Sequence, residues 1–312
     1  MQQKFPGMFA ICAWVAVSLF VAANVAGESM ATINLSSEEA AWLKAHPVLR
    51  HGPDADYAPF EYRDETNRYI GVAPDILKVI GKKLGVQFKV VPAPNWAANL
   101  ENIKQRKADL AAAAITPDRS EYMLFTSPFI EYNNIILVPD HVTGYFILKD
   151  FEDKTLAAVQ GWAIAEYIQN KHPAIKFLWV KDIKSALEAV SDGMADAYLV
   201  NRFAAGYWMA KTGITNLRIA GETDYTYKLS FGSRKDWPML NRLLQKALDA
   251  TSRSELEEIF NKWTFSKDRG WRPGSRIWIW ITLGVIVALL LVTGIFVWDL
   301  AVRRRASAKA KT

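Results

Sequence analysis

An α/β fold built on parallel strands is predicted by three features of the sequence. Short apolar runs rich in Val, Ile and Ala alternate with helical stretches of about ten residues. Residues that start and stop helices stand between them. At 312 residues the chain is long enough for one large or two medium domains.

The elements follow in order. Ser36 and Glu39 form a capping box ahead of Ala40, Ala41 and Leu43, and Pro47 ends that first helix. Residues 48–50 read as a short strand leading into the loop from Gly52 through Asp54, Asp56, Tyr57 and Phe60 to Tyr62. A helix is expected over 74–84, with Gly85 as its C-terminal cap. Next come a strand at 86–91, a helix at 97–106 and a strand at 108–115. The alternation continues with a strand at 155–159, a helix at 163–170, a strand at 175–180, a helix at 182–191 capped by Asp182, and a strand at 195–200. A strand at 228–233 and helices at 237–250 and 254–263 complete the pattern.

Both ends of the chain read as membrane-directed. Lys4, the apolar run at 8–23 and the small residues after it have the layout of a signal peptide over 1–27, with an uncleaved anchor as the alternative. Residues 277–298 carry no charged side chain and are long enough to cross a hydrocarbon core of about 30 Å. Trp271, Trp278, Trp280 and Trp298 cluster near the ends of that span, as interfacial aromatics do. A linker at 266–276 precedes it, and a basic tail at 299–312 with Arg303, Arg304 and Arg305 follows. The reading is a single-pass inner-membrane protein whose main domain faces the periplasm.

The net charge of +6 owes much to that tail, so it argues for no nucleic-acid partner. The one cysteine, Cys12, lies within the signal peptide, which leaves the exported part without a disulfide or a thiol nucleophile. The four histidines show no metal-ligand spacing, and no cofactor, metal or catalytic motif is read.

The most informative stretch runs from Asp109 through Ala111, Ala114 and Thr116 to Arg119, and on to Phe125-Thr126-Ser127-Pro128-Phe129. A buried apolar strand ends at a Thr, and a turn then presents one Arg. A guanidinium offers a planar fork that matches two carboxylate oxygens. Taken alone, Arg119 has an ordinary alternative as a surface partner of Asp118 or Glu121.

With Asp56-Tyr57 and Phe60-Glu61-Tyr62, Gly71 to Asp75, Asn95-Trp96, Ala108-Asp109, Ile115-Thr116, Val159-Gln160-Gly161 and Ala195-Asp196-Ala197, the order of motifs resembles the bacterial extracellular solute-binding proteins of family 3 over 36–265. The later part, including Arg234 to Pro238 and Asn261 to Trp263, is similar to the branch that forms periplasmic sensors of hybrid histidine kinases and diguanylate cyclases. The resemblance implies a two-lobed Venus flytrap with two crossover strands. It places lobe 1 at 36–135 and 222–265, and lobe 2 at 136–221. The crossovers fall near 133–138 and 221–227.

The resemblance also implies site residues. Arg119 and Thr116 would clamp a ligand carboxylate, and Phe60 and Trp96 would stack on its apolar part. Tyr57 would line the mouth. The turn at Gly161, Trp162 and Ala163 would aim N–H groups at an anion, and Trp162 would narrow the cleft or cover the lobe 2 core. Asn201 stands where amino-acid binders carry Asp, and Ala114 where they carry Thr or Ser. Those two departures favour a carboxylate without an α-amino group or an amino acid held weakly, unless Glu61 or Asp56 supplies the missing charge.

The function expected is a membrane-anchored sensor or binding protein for a small carboxylate-bearing metabolite, working with a membrane signalling protein. The alternatives are a tethered component feeding an ABC permease and, as an enzyme, a dehydratase-like protein using Glu61. A non-enzymatic role is expected.

Overall fold

The computed structural model describes residues 33–264. The signal peptide, linker, membrane span and basic tail expected from the sequence lie outside the described residues.

Helix α1 (Ser37–Ala45) opens with the expected capping box: Ser36 Oγ accepts from Glu39 N at 3.2 Å and Glu39 Oε2 from Ser36 N at 2.8 Å. Strand β1 (Val48–His51) follows, then a small antiparallel sheet of β2 (Asp56–Tyr57), β3 (Glu61–Arg63) and β4 (Tyr69–Ile70). Helix α2 (Val72–Leu84) begins ahead of the expected residue 74. Pro74 falls inside the first turn, where its missing N–H has no helical partner to lose. Gly71 makes that start possible with φ +133, and Gly85 closes the helix at φ +70.

Strand β5 (Gln87–Val90), helix α3 (Trp96–Lys104) and strand β6 (Leu110–Ala114) come next. All five residues of β6 are buried, which explains an unbroken Leu-Ala run: a strand covered on both faces needs no alternation. Helix α4 (Pro117–Ser120) and strand β7 (Met123–Phe125) lead into β8 (Ile130–Pro139). After a short 3-10 turn, the alternation is β9 (Thr155–Val159), α5 (Ala163–Lys171), β10 (Lys176–Val180), α6 (Ile183–Ser191), β11 (Ala197–Val200) and α7 (Arg202–Thr212). Strand β12 (Leu217–Arg234) and helices α8 (Pro238–Asp249) and α9 (Arg253–Thr264) end the described chain.

The main sheet has the order β10-β9-β11-β8-β12-β6-β1-β5, with β7 also beside β12. It has two parallel parts: β5, β1 and β6 in one half, and β10, β9 and β11 in the other. The antiparallel ribbon of β8 and β12 joins them, paired from Leu217↔Pro139 to Leu229↔Ile130. Its register shifts between Ile219 and Gly221 and between Glu222 and Thr226. Strand β12 is 18 residues long and takes in both the strand expected at 228–233 and the crossover that the resemblance implies near 221–227.

In the first half, Asp109 ties three strands together. Its carboxylate accepts from Arg50 N at 2.8 Å, from Arg50 Nη2 at 2.6 Å and from Arg234 Nη1 at 3.3 Å, while the side chain is 2% exposed. A buried carboxylate is tolerated there because cations and an amide satisfy its oxygens.

Candidate functional site

Three loops leave the carboxyl ends of parallel strands and converge: 52–55 after β1, Ile115 and Thr116 after β6, and Gln160 and Gly161 after β9. Ligand sites in open α/β sheets sit at such ends. The ribbon forms the floor, contributing Tyr132 from β8 and Tyr227 from β12.

Arg119 is the centre of the arrangement and is 1% exposed. It stands in α4, whose first turn is capped by Thr116 Oγ1 accepting from Arg119 N at 3.2 Å. Its Nη1 donates to Ala114 O at 2.8 Å, and its Nη2 crosses to the other half and donates to Gly161 O at 2.8 Å. Trp96 Nε1 donates to the same Gly161 oxygen at 3.1 Å, and the guanidinium lies 5.4 Å from the Trp96 ring centre. A surface pairing of Arg119 with Asp118 or Glu121 is therefore not what the fold builds.

Aromatic side chains pack beside it. Phe60 stacks on Tyr132 at 5.5 Å and Tyr132 on Tyr227 at 5.1 Å. The Tyr57 hydroxyl is hydrogen-bonded to that of Tyr132, and the Tyr57 ring meets Trp162 edge to face at 5.0 Å. Enclosed among Asp54, Phe60, Glu61, Trp96, Trp162 and Tyr227 is a cavity of about 10 Å³, room for a single water. A wider recess of about 650 Å³ opens on the outer side, lined by Leu100, Lys104, Tyr122, Gln160, Gly161 and Trp179. Gly161 lines the recess and Trp162 the inner cavity, so this turn stands between the two.

An acidic group lies within electrostatic reach of Arg119. Asp54 lines the cavity, and burial pushes its carboxyl up from 3.8 to about 7, with the negative charges of Asp56 and Glu61 adding and Arg119 partly offsetting. Glu61 Oε2 accepts from Asp54 N at 3.0 Å, and Glu61 Oε1 lies 3.0 Å from His51 Nε2. Asp56 is also raised, by burial first and then by Asp182. Burial raises the hydroxyls of Tyr57 and Tyr227 as well, so both stay protonated at neutral pH, and Tyr227 accepts a hydrogen bond from Arg119.

Of the residues expected from the sequence, Arg119, Trp96, Phe60, Tyr57, Gly161 and Trp162 are brought together. Trp162 both lines the inner cavity and belongs to the buried core. Three others are used differently from expectation. Ala114 acts through its main-chain carbonyl, and the Thr116 hydroxyl is a helix cap. Asn201 caps α7, its Oδ1 accepting from Phe203 N at 2.7 Å and Ala204 N at 3.3 Å, and it does not line the cavity. Ala163 is the buried first residue of α5. The Gly161 turn offers its carbonyl to Arg119, where its N–H groups were expected to face an anion; Trp162 N donates instead to Val159 O at 3.2 Å. Asp54, Tyr132 and Tyr227 were not singled out from the sequence. Asp54 had one signal, its place in the same loop as Tyr57. Among the described residues, no group of His, Cys, Asp and Glu is arranged to hold a metal ion.

A family model, bacterial extracellular solute-binding proteins, family 3, matches residues 49–267. The chain is similar to the virulence sensor protein BvgS of Bordetella pertussis, 23% identical over 279 residues, which is 88% of this chain and 22% of that protein. It therefore spans about a fifth of the length of this sensor relative. It is also similar to ABC transporter arginine-binding protein 1 of Escherichia coli K12, 23% identical over 223 residues, which is 69% of this chain and 90% of that protein. Among solved structures, the BvgS periplasmic VFT2 domain of Bordetella pertussis superposes with a TM-score of 0.66 at 22% identity, covering 74% of this chain and 99% of that one. That likeness shows the two-lobed Venus flytrap fold, whose lobes are the two halves of the sheet.

Proposed function

The chain belongs to the bacterial extracellular solute-binding proteins, family 3, and from that premise we propose that it binds a small carboxylate-bearing metabolite between its lobes as a membrane-anchored periplasmic sensor. Lobe 1 is assigned to 36–135 with 222–265 and lobe 2 to 136–221. Residues 277–298 are assigned to the anchor, and a membrane signalling protein to the receiving end.

One observation carries the reading. Arg119, a permanent cation, is 1% exposed and is aimed between the lobes. Its hydrogen-bond partners are two neutral carbonyls and the neutral Tyr227 hydroxyl, and a buried guanidinium binds best to a bidentate anion. The aromatic faces of Phe60, Trp96 and Tyr227 would cover the apolar part of such a ligand. Asp54 and Glu61, which line the cavity, supply the negative side that Asn201 lacks. A ligand with a carboxylate and a cationic group, such as an amino acid, satisfies both walls, and an ammonium or guanidinium near Asp54 would restore its ionised form.

A second reading, a tethered component of an ABC importer, is favoured by the transporter relative matched over 90% of its length. Loss of solute uptake on deletion, with signalling intact, would select it.

The test is the melting temperature of the full-length chain in detergent with L-arginine, L-glutamine, L-glutamate, pyruvate, benzoate or succinate. A bound solute at a hundred times its dissociation constant adds about 2.7 kcal/mol, a shift of several degrees. Arg119→Ala is expected to remove that shift. A panel that moves neither protein, or a shift that survives Arg119→Ala, sinks the reading.

A further inference from the structure

The atoms that would grip a carboxylate are gripping the protein itself. Arg119 Nη2 and Trp96 Nε1, both from lobe 1, converge on one acceptor, Gly161 O of lobe 2, at 2.8 and 3.1 Å. Gly161 has φ +81, a backbone conformation that only glycine adopts at little cost, and the turn lies between the open recess and the inner cavity. That cavity, at about 10 Å³, is far below the roughly 300 Å³ and upward of ordinary ligand pockets. Contacts remote from Arg119 also bridge the lobes. Trp208 Nε1 of α7 donates to Asp56 O at 3.0 Å, and Phe203 of α7 meets Phe260 of α9 edge to face at 5.5 Å.

From this we infer that the Gly161 carbonyl is an internal ligand: it holds the lobes shut by occupying Arg119 and Trp96, and a solute carboxylate binds by displacing it and parting the lobes. The inference rests on Arg119 as the carboxylate clamp. The exchange is favourable at the site, because a bidentate charge-assisted pair is stronger than a single bond to a neutral carbonyl. It is opposed by the interlobe contacts that opening gives up. A solute of this kind selects the open state, the reverse of a flytrap that shuts on its ligand.

The two directions give opposite linkage. Where a solute is clasped by both lobes, loosening the shut state weakens binding. Where a solute competes with the shut state, loosening it strengthens binding. Trp208 lies outside the cavity lining, and Trp208→Phe removes one interlobe hydrogen bond while keeping an aromatic ring.

The experiment uses the full-length chain in detergent, with Cys12→Ser and spin labels at the exposed positions Gln105→Cys on lobe 1 and Lys171→Cys on lobe 2. Pulsed-EPR distances are read first with no solute. The inference expects one short distance, lengthened by more than about 2 Å in Arg119→Ala and broadened toward longer values in Trp96→Phe. The second variant keeps the Arg119 bond, so it decides the matter if Arg119→Ala does not fold. An unaltered distance in the folded variants overturns the inference without reference to any solute. L-arginine is then added, since it carries both charges the walls call for. The expected result is a longer distance, and an apparent dissociation constant tightened roughly threefold to tenfold by Trp208→Phe. Shortening by L-arginine, or weaker binding in Trp208→Phe, overturns it. L-arginine without effect on any variant counts against the ligand class alone, and the solute-free distances still decide the lock.

Discussion

Asp54 is the carboxylate whose protonation matters most in the cleft. Folding raises it from 3.8 to about 7, chiefly by burial, so the native state keeps a proton that the unfolded chain has released across that interval. Stability from this group is therefore complete at low pH and declines as pH rises from about 4 to about 7. Asp54→Asn should flatten that decline, measured as urea midpoints at about pH 5 and about pH 8 in both proteins; equal slopes would contradict it. Asn201 teaches a different lesson. Its side chain caps α7, so Asn201→Ala should lower stability by about 1 kcal/mol and leave solute affinity unchanged. Calorimetric titration beside a melting curve separates the two effects. That Arg119, Trp96, Phe60 and Tyr57 lie together was legible from the order of motifs that carries the family resemblance, with the guanidinium of Arg119 also signalled by its own chemistry. Asp54 was not, since a carboxylate in a Gly-Pro-Asp loop reads as solvated until the fold buries it.

At the level of elements, most of the described helices were legible near their observed bounds. Ser36, Asn95 and Asp182 each cap the helix that follows them. Helix α7 escaped notice because its sequence lacks a polar-apolar stripe, and only Ala204 and Ala205 of it are buried. Strand β12 was read short because the segment from Glu222 to Thr226 is polar and irregular, and its pairing with β8 is a tertiary fact invisible to local pattern. The Asp109 carboxylate holds β1 and β12 to β6 through Arg50 and Arg234. Removing it leaves Arg234 facing the interior with one acceptor fewer. Asp109→Ala should therefore destabilise by about 3 kcal/mol or more, and a shift in the urea midpoint smaller than that of Asn201→Ala would contradict this account.

For the whole molecule, the ribbon of β8 and β12 does more than connect two lobes. Strand β6 sits between β1 and β12, so the sheet of the first lobe is incomplete until Leu229 to Ser233 pair with Ala114 to Leu110. The second lobe needs nothing beyond the early part of β12 to fill its own side, since β9, β10 and β11 are parallel neighbours and β11 pairs β8 directly. Chain order and assembly order therefore diverge: the segment synthesised first is completed last. A chain halted just after Glu222, with the early part of β12 present, should protect β9 to β11 from protease while β6, all Leu and Ala, stays open to cleavage and to chaperones that hold exposed apolar strands. Equal protection of both halves in the halted chain would refute that order. Such a protein faces its greatest risk of aggregation before Leu229 to Ser233 arrive to pair with β6, so truncations that remove this stretch should be far more harmful to yield than removal of α9 alone.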